Sequence, residues 1–373
     1  MKKFISVLLA AVMMLGLAAC STINDAEVAI LWDDEGTVKI PDSLINAVER
    51  AMYSENVAYK HYGAEGESAK QLKQAEEALE AGSSVLIVKL VDVASAQAIV
   101  DLAKAKETPV VFFGCDVDAS VVEGYEKCVS VNSDESTIVS VMGKLVGEYV
   151  AANLEALDRN SDGKISYLSL AGEATEAYVG AVNDVLKENK APELIAYEGE
   201  EVTAENVGEA IKAYLDESKG EAELILTGSD DDALAVLVAL QANGYNKDKL
   251  KTHLIPVFTV GADADYKEYV LADKPEGTRE DKAVMEYYES VKYLVDLSGV
   301  QDDELSEMIY TTANVIGTSK LTGTVIEDYD SVAAVVADVV RNLVTGADIL
   351  DGLSEELNVD GRTVKVSYAS YSN

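Results

Sequence analysis

Short apolar runs alternate with longer stretches of helical period along most of this chain. Glu27–Trp32 (EVAILW), Val57–Tyr62, Val85–Leu90 (VLIVKL), Pro109–Phe113 (PVVFF) and Cys128–Val131 read as strands. Between them Asp42–Glu55, Ser68–Ala81 and Ser95–Lys106 read as helices. Several of these runs are apolar at consecutive positions rather than at alternate ones. That pattern suits strands buried on both faces of a parallel sheet, as strand–helix–strand units build. The rhythm then restarts. A long helix capped within Ser133–Glu135 runs to about Asn153, followed by a strand at Ile165–Leu170, a helix at Tyr178–Glu188 and a strand at Glu193–Tyr197. Next come a helix at Ala204–Glu217, a strand at Glu223–Leu226, a helix at Asp231–Asn243 and a strand at Pro256–Val260, whose PVFTV repeats the form of PVVFF. Residues 269–320 break the rhythm with an acidic segment that reads as an insertion. Thr322–Ile326, Ser331–Leu343 and Thr363–Tyr368 close the chain as strand, helix and strand. The pattern predicts two similar α/β lobes in tandem, as a length of 373 residues also suggests.

The first residues lie outside this pattern. Lys2 and Lys3 precede an apolar run from Phe4 to Ala19, as in a secretory leader. The run ends in Leu17-Ala18-Ala19-Cys20, which is similar to a bacterial lipobox. That similarity implies cleavage after residue 19, lipid on Cys20, and residues 20–26 as a tether to the membrane. A single transmembrane anchor is the competing reading, since the run approaches the shortest spanning length.

Net charge is −37, and the mature chain is two charges more negative once the leader lysines go. Nucleic-acid binding needs a basic patch, so it is excluded as a function class. With only two histidines, His61 and His253, a multi-histidine metal site is excluded too. Of the three cysteines, Cys115 and Cys128 remain beside Cys20; secretion permits a disulfide between them, and two buried thiols are the alternative. The chain has no Walker-type loop, no GxGxxG after the first strand and no nucleophile–histidine pair, so an enzyme is not expected.

One loop carries a metal-binding pattern. In DRNSDGKIS, oxygen-bearing residues stand at alternate positions, Asp158, Asn160, Asp162 and Ser166, with Gly163 at the turn. This is the front half of a calcium loop, but its twelfth position, where an acid belongs, is Ser169. A plain Asp/Asn/Gly turn is the alternative reading.

Six stretches in order give the chain a family resemblance: Leu90–Phe113 (LVDVASAQAIVDLAKAKETPVVFF), Asp158–Glu173 (DRNSDGKISYLSLAGE), DDALA at Asp231–Ala235, IPVF at Ile255–Phe258, GTVIED at Gly323–Asp328 and VDGRTVKVSY at Val359–Tyr368. The chain resembles the type I periplasmic solute-binding proteins, in particular their galactose/glucose-binding branch. The resemblance implies two doubly wound parallel-sheet lobes joined by three hinge strands, with solute held in the cleft. It places the first lobe at 25–132 plus 328–348 and the second at 133–327 plus 349–373, the insertion being 270–320. It further implies a monomer that passes a small solute to an ABC permease or a chemoreceptor, from an extracytoplasmic position anchored through lipid. For the loop, it implies a structural calcium ion held by Asp158, Asn160, Asp162, the Lys164 carbonyl and Ser166. A remote glutamate completes that set, Glu223 by its place before the ELIL strand, with Glu221 as a rival.

The solute cleft departs from the family pattern. The expected Asn after VVFF is Gly114, the expected Arg and His after GE are missing, and a family Asn is Glu327 here. The positions that should face solute are Trp32, Asp33, Asp34, Cys115, Asp116, Glu173, Glu176, Asp230, Asp231, Asp263 and Glu327. Trp32 stands at a strand end, where it either stacks on a sugar ring or packs into the core. The other positions are mostly acidic. Carboxylates accept well from sugar hydroxyls and equally from amines. Three functions therefore stand at this point: a sugar carrier, a carrier of a cationic solute, and a surface sensor whose sugar site is lost.

Overall fold

A computed structural model describes residues 27–33, 44–197, 202–203, 206–218, 222–246, 254–261 and 321–372. The leader 1–19, Cys20, the tether 20–26, Asp34, Glu221, Asp263 and the insertion 270–320 lie outside the described residues. The chain divides into two compact units, one formed by residues up to Asp134 with Asp328–Ser367, the other by Glu135–Glu327 with Tyr368–Asn373. It passes from one to the other three times, after Asp134, Glu327 and Ser367.

The first unit has a seven-stranded sheet. Its elements are β1 (Glu27–Trp32), α1 (Leu44–Ser54), β2 (Ala58–Gly63), α2 (Ser68–Glu80), β3 (Leu86–Val88), α3 (Ala96–Ala105), β4 (Val110–Phe113), α4 (Ala119–Glu123) and β5 (Cys128–Asp134). The chain returns later with β11 (Asn358–Asp360) and β12 (Thr363–Ser367), and the strand order is β11-β12-β5-β4-β3-β1-β2. All pairs are parallel except β11 with β12. The consecutive apolar runs have the predicted cause. Residues Val28–Leu31, Leu86–Val88 and Val110–Phe113 are buried throughout, because successive side chains point into separate cores on the two faces. Strand β2 lies at the sheet edge and is exposed along most of its length.

The same unit contains α9 (Tyr329–Thr345), which packs on α1 and against β4 and β5. Its start is fixed by Asp328, whose carboxylate accepts from the Ser331 N–H (3.1 Å) and hydroxyl (2.7 Å). Its end is fixed by Gly346 at φ 74°, a left-handed conformation that suits glycine. Between these caps Val332, Val336, Val339 and Val340 are fully buried, each worth about 1.5–3 kcal/mol of burial.

The family boundary is corrected in one respect. Residues 349–367, expected in the second lobe, belong to the first unit, because β12 pairs in parallel with β5 over Thr363–Ser367. Only the last strand, β13 (Ala369–Ser372), joins the second unit, antiparallel to β10 (Gly323–Ile326).

The second unit runs α5 (Ile138–Leu157), β6 (Ile165–Leu170), α6 (Thr175–Glu188), β7 (Leu194–Ala196), α7 (Val207–Glu217), β8 (Leu224–Thr227), α8 (Asp230–Ala242), β9 (Val257–Val260) and β10 (Gly323–Ile326). Its sheet has the order β13-β10-β9-β8-β6-β7. Helices α5 and α6 approach closely because α5 carries Gly143 and Gly147 one turn apart. A Cβ on Gly143 would stand 2.6 Å from Ala181 Cβ, and one on Gly147 2.7 Å from Val185 Cβ. Among the described residues no helix is long and apolar enough to cross a membrane.

Candidate solute and metal sites

In parallel sheets, ligands collect beyond the carboxyl ends of the strands. In the first unit that edge carries Trp32 and Asp33 after β1, Lys89 after β3, and Gly114, Cys115 and Asp116 after β4. Alternation fixes which side chains meet. Ile30 pairs with Ile87, and both enter the core under α1 and α9. Two residues on, Trp32 and Lys89 emerge on that same face at the strand ends. Trp32 packs partly against this core, and the Lys89 ammonium lies over its ring, 4.7 Å from the centroid. The same ammonium is 2.5 Å from Asp33 Oδ2.

The surroundings hold this group in place. Gln71, with no exposed surface, donates to the Lys89 carbonyl (2.8 Å) and accepts from the Val91 N–H (3.1 Å). Asn132 accepts from the Cys115 N–H (2.9 Å) and donates to Ser130 Oγ (3.0 Å), which fixes the turn after β4. Gly114 sits at φ 60°, and a Cβ there would meet Leu44 Cδ2 at 2.6 Å and Lys89 Cε at 3.6 Å. Asp116 is exposed. Cys115 and Cys128 are both free thiols, so the disulfide alternative is not realised. Burial pushes the Cys115 thiol up, with Lys89 pulling against it, and pushes Cys128 up to about 12.

In the second unit, Glu173 and Glu176 follow β6 and are exposed. Asp230 and Asp231 begin α8, after β8. Asp231 is exposed, and the side chain of Asp230 lies outside the described residues. The helix start is capped by a reciprocal pair: the Asp232 N–H donates to Ser229 Oγ (3.2 Å) and the Ser229 hydroxyl donates to the Asp232 carboxylate (2.7 Å). So one acid of the DDD run has a structural task. Glu327, after β10, accepts from the Tyr368 hydroxyl at 3.3 Å.

The expected calcium loop joins α5 to β6, and Glu223 reaches it from the start of β8. Glu223 is 1% exposed. Its Oε1 accepts from the Arg159 N–H (3.2 Å) and its Oε2 from the Ser166 N–H (2.6 Å). Within the loop, Asp158 accepts from the Asp162 and Gly163 N–H groups, each at 3.0 Å. Asn160 also accepts from the Asp162 N–H (2.9 Å), and Asp162 from the Lys164 N–H (2.8 Å). The Ser166 hydroxyl stands 3.3 Å from the Tyr214 hydroxyl. Burial raises the pKa of Glu223, the nearby Asp158 charge adding to that and the two backbone donors opposing it. The donors are all oxygens, which suits a hard cation. Their carboxylates are nonetheless turned to backbone N–H groups, and among the described residues no group of three or more His, Cys, Asp or Glu is arranged to hold a metal.

Sequence reasoning missed Lys89, Gln71 and Asn132. A signal was present for two of them, a glutamine on the apolar stripe of α2 and an asparagine in the apolar strand CVSVNSD, while a lysine closing VLIVKL reads as a solvated strand end.

Comparison with known proteins agrees with this architecture. The periplasmic binding protein domain family matches residues 29–301. Over 192 residues the chain is 30% identical to the D-galactose/methyl-galactoside binding periplasmic protein MglB of Haemophilus influenzae, an alignment covering 49% of this chain and 55% of that protein. The chain thus spans about half the length of this relative. A crystal structure from Mycobacterium smegmatis shares the fold at a TM-score of 0.50, with 14% identity over 93% of this chain and 91% of that one. A periplasmic ribose ABC transporter structure from Conexibacter woesei gives a TM-score of 0.48 with 16% identity, over 93% and 91% of the two chains. The matched domain and the two α/β units place the chain in the periplasmic binding protein family, a family of transport binding proteins rather than enzymes.

Proposed function

We propose that this protein is an extracytoplasmic sugar-binding protein that hands its solute to an ABC importer from a lipid tether at Cys20. The observation that carries the reading is the carboxyl edge of the first sheet, where an aromatic ring stands beside a paired lysine and aspartate. A sugar offers a partly apolar ring face and hydroxyls that donate and accept. An aromatic beside such a pair matches both features. Family membership and the resemblance to a galactose-binding relative support the same class of solute. At this edge the solute would meet Trp32, Asp33 and Cys115 of the first unit.

Calcium is the second part of the proposal. Asp158, Asn160, Asp162, the Lys164 carbonyl, Ser166 and Glu223 would hold it. A buried carboxylate beside a second acid supports a cation there, because ionised acids in low dielectric need a partner. The ion would be structural, tying β8 to the loop before β6.

A thermal-shift panel of neutral hexoses, pentoses and amine solutes tests the solute class. A bound ligand raises the melting temperature by mass action, about 2.7 kcal/mol at a hundred times Kd. Stabilisation by neutral sugars alone is expected. Stabilisation by amines alone overturns the sugar reading, and a flat response to every solute favours the sensor alternative.

A further inference from the structure

We propose that Lys89 determines charge selectivity at the first unit's carboxyl edge. Paired with Asp33, it presents a donor and an acceptor of cancelling charge, and so selects a neutral polyhydroxy solute over amino and acidic analogues. This rests on the sugar reading above and goes beyond it by assigning the selectivity to one residue.

The pair is built into the sheet. Strand register places Lys89 beside Trp32 at the ends of β1 and β3. The Lys89 N–H donates to the Leu31 carbonyl (2.9 Å), and fully buried Gln71 grips the backbone on either side of Leu90. The Ala64 and Gly66 N–H groups donate to the Trp32 and Asp33 carbonyls, at 2.9 and 2.8 Å, which fixes the partner strand's exit. The missing Cβ of Gly114 leaves room for Leu44, whose Cδ2 it would meet at 2.6 Å, beside the Lys89 stem at 3.6 Å. Side-chain exposures of 26% for Lys89 and 18% for Asp33 leave both within reach of a solute while limiting the water that would screen them.

The consequence is specific. An acidic cluster alone would favour an amine. With Lys89 in place, the Asp33 charge is already compensated, and a solute ammonium would face a cation as well as an anion. A solute carboxylate would in turn face Asp33. Two hydroxyls satisfy both groups with no net charge to bury.

The test is calorimetric titration of D-galactose, D-galactosamine and D-galacturonate, with the gluco series beside them, into wild-type protein and the variants K89M, D33N and K89R. Wild type should prefer the neutral sugar to either charged one by tenfold or more. K89M should move the amine-to-acid preference at least tenfold toward the amine, D33N at least tenfold toward the acid, and K89R should keep the wild-type order. Wild-type binding with preference ratios unchanged within threefold in K89M and D33N overturns the inference alone. Failure of wild type to bind any hexose overturns the sugar reading and takes the inference with it. Trp32 is the chain's single tryptophan, so its emission reports the contact without solute. An emission spectrum unchanged in K89M overturns the contact itself, and circular dichroism identifies a variant that has not folded.

Discussion

Glu223→Gln separates a buried acid from a metal ligand. The carboxylate accepts one backbone N–H on each oxygen, from Arg159 at 3.2 Å and Ser166 at 2.6 Å. A glutamine keeps one acceptor. Its carbonyl takes the shorter Ser166 contact, and its amide then faces the Arg159 N–H. That N–H keeps a second acceptor, the Leu157 carbonyl at 2.7 Å, so the mismatch falls at the low end of the range for a lost buried hydrogen bond, about 1 kcal/mol. For a unit of this size that is a fall of about 2–4 °C in melting temperature. The dependence on pH then decides the role. Without metal, burial holds the folded-state pKa of Glu223 above its ordinary value of 4.5, so the folded state holds the proton more tightly than the unfolded state. The stability that this group contributes is present at low pH and declines as pH rises from about 4.5 through the raised value. In chelator the variant's deficit should therefore shrink with rising pH. In calcium the ionised carboxylate gains its partner, so the deficit should grow with pH and with calcium concentration, by about 2.7 kcal/mol at a hundred times Kd. The assay is differential scanning fluorimetry of both proteins from pH 4 to 8, with chelator and with calcium. A deficit that ignores both variables refutes the calcium proposal. A deficit in chelator that grows with pH refutes the raised pKa.

Three further outcomes are expected. Gly143→Val should destabilise the second unit by about 2–3 kcal/mol in urea unfolding, since its Cβ would meet Ala181 backbone atoms at 2.8–2.9 Å that a rotamer change cannot move. Asp328→Ala should cost about 1 kcal/mol by the same measurement through loss of the α9 cap, and Asp328→Asn should recover most of it. Cys128, with its thiol pushed up to about 12, should resist iodoacetamide at pH 8 in native protein and react on unfolding, as peptide mass mapping would show.

The strands of both units were legible because burial on two faces leaves consecutive apolar residues, as in EVAILW and PVVFF. The final segment was harder. TVKVSY gives one strand, yet its partner is set by a contact more than two hundred residues away, Thr363 beside Ser130, and no local period encodes that. Strands β11 and β13 are short and exposed, so they carry no apolar signature. At the carboxyl edge of the first sheet, the positions of Trp32 and Asp33 were legible from their place at the end of β1. Lys89 was not, because a lysine closing an apolar strand reads as a solvated end until register sets it over the Trp32 ring. Glu223 was reached only through the family resemblance, since 57 residues separate it from Ser166, whose N–H it accepts.

Titration of Trp32 fluorescence with D-galactose and D-glucose, under saturating calcium at neutral pH, tests the central claim most directly, because the only tryptophan stands at the proposed sugar-facing edge. The account predicts a saturable change in emission with a neutral hexose and none with an amine such as putrescine. A saturable response to the amine with none to any neutral sugar would contradict it.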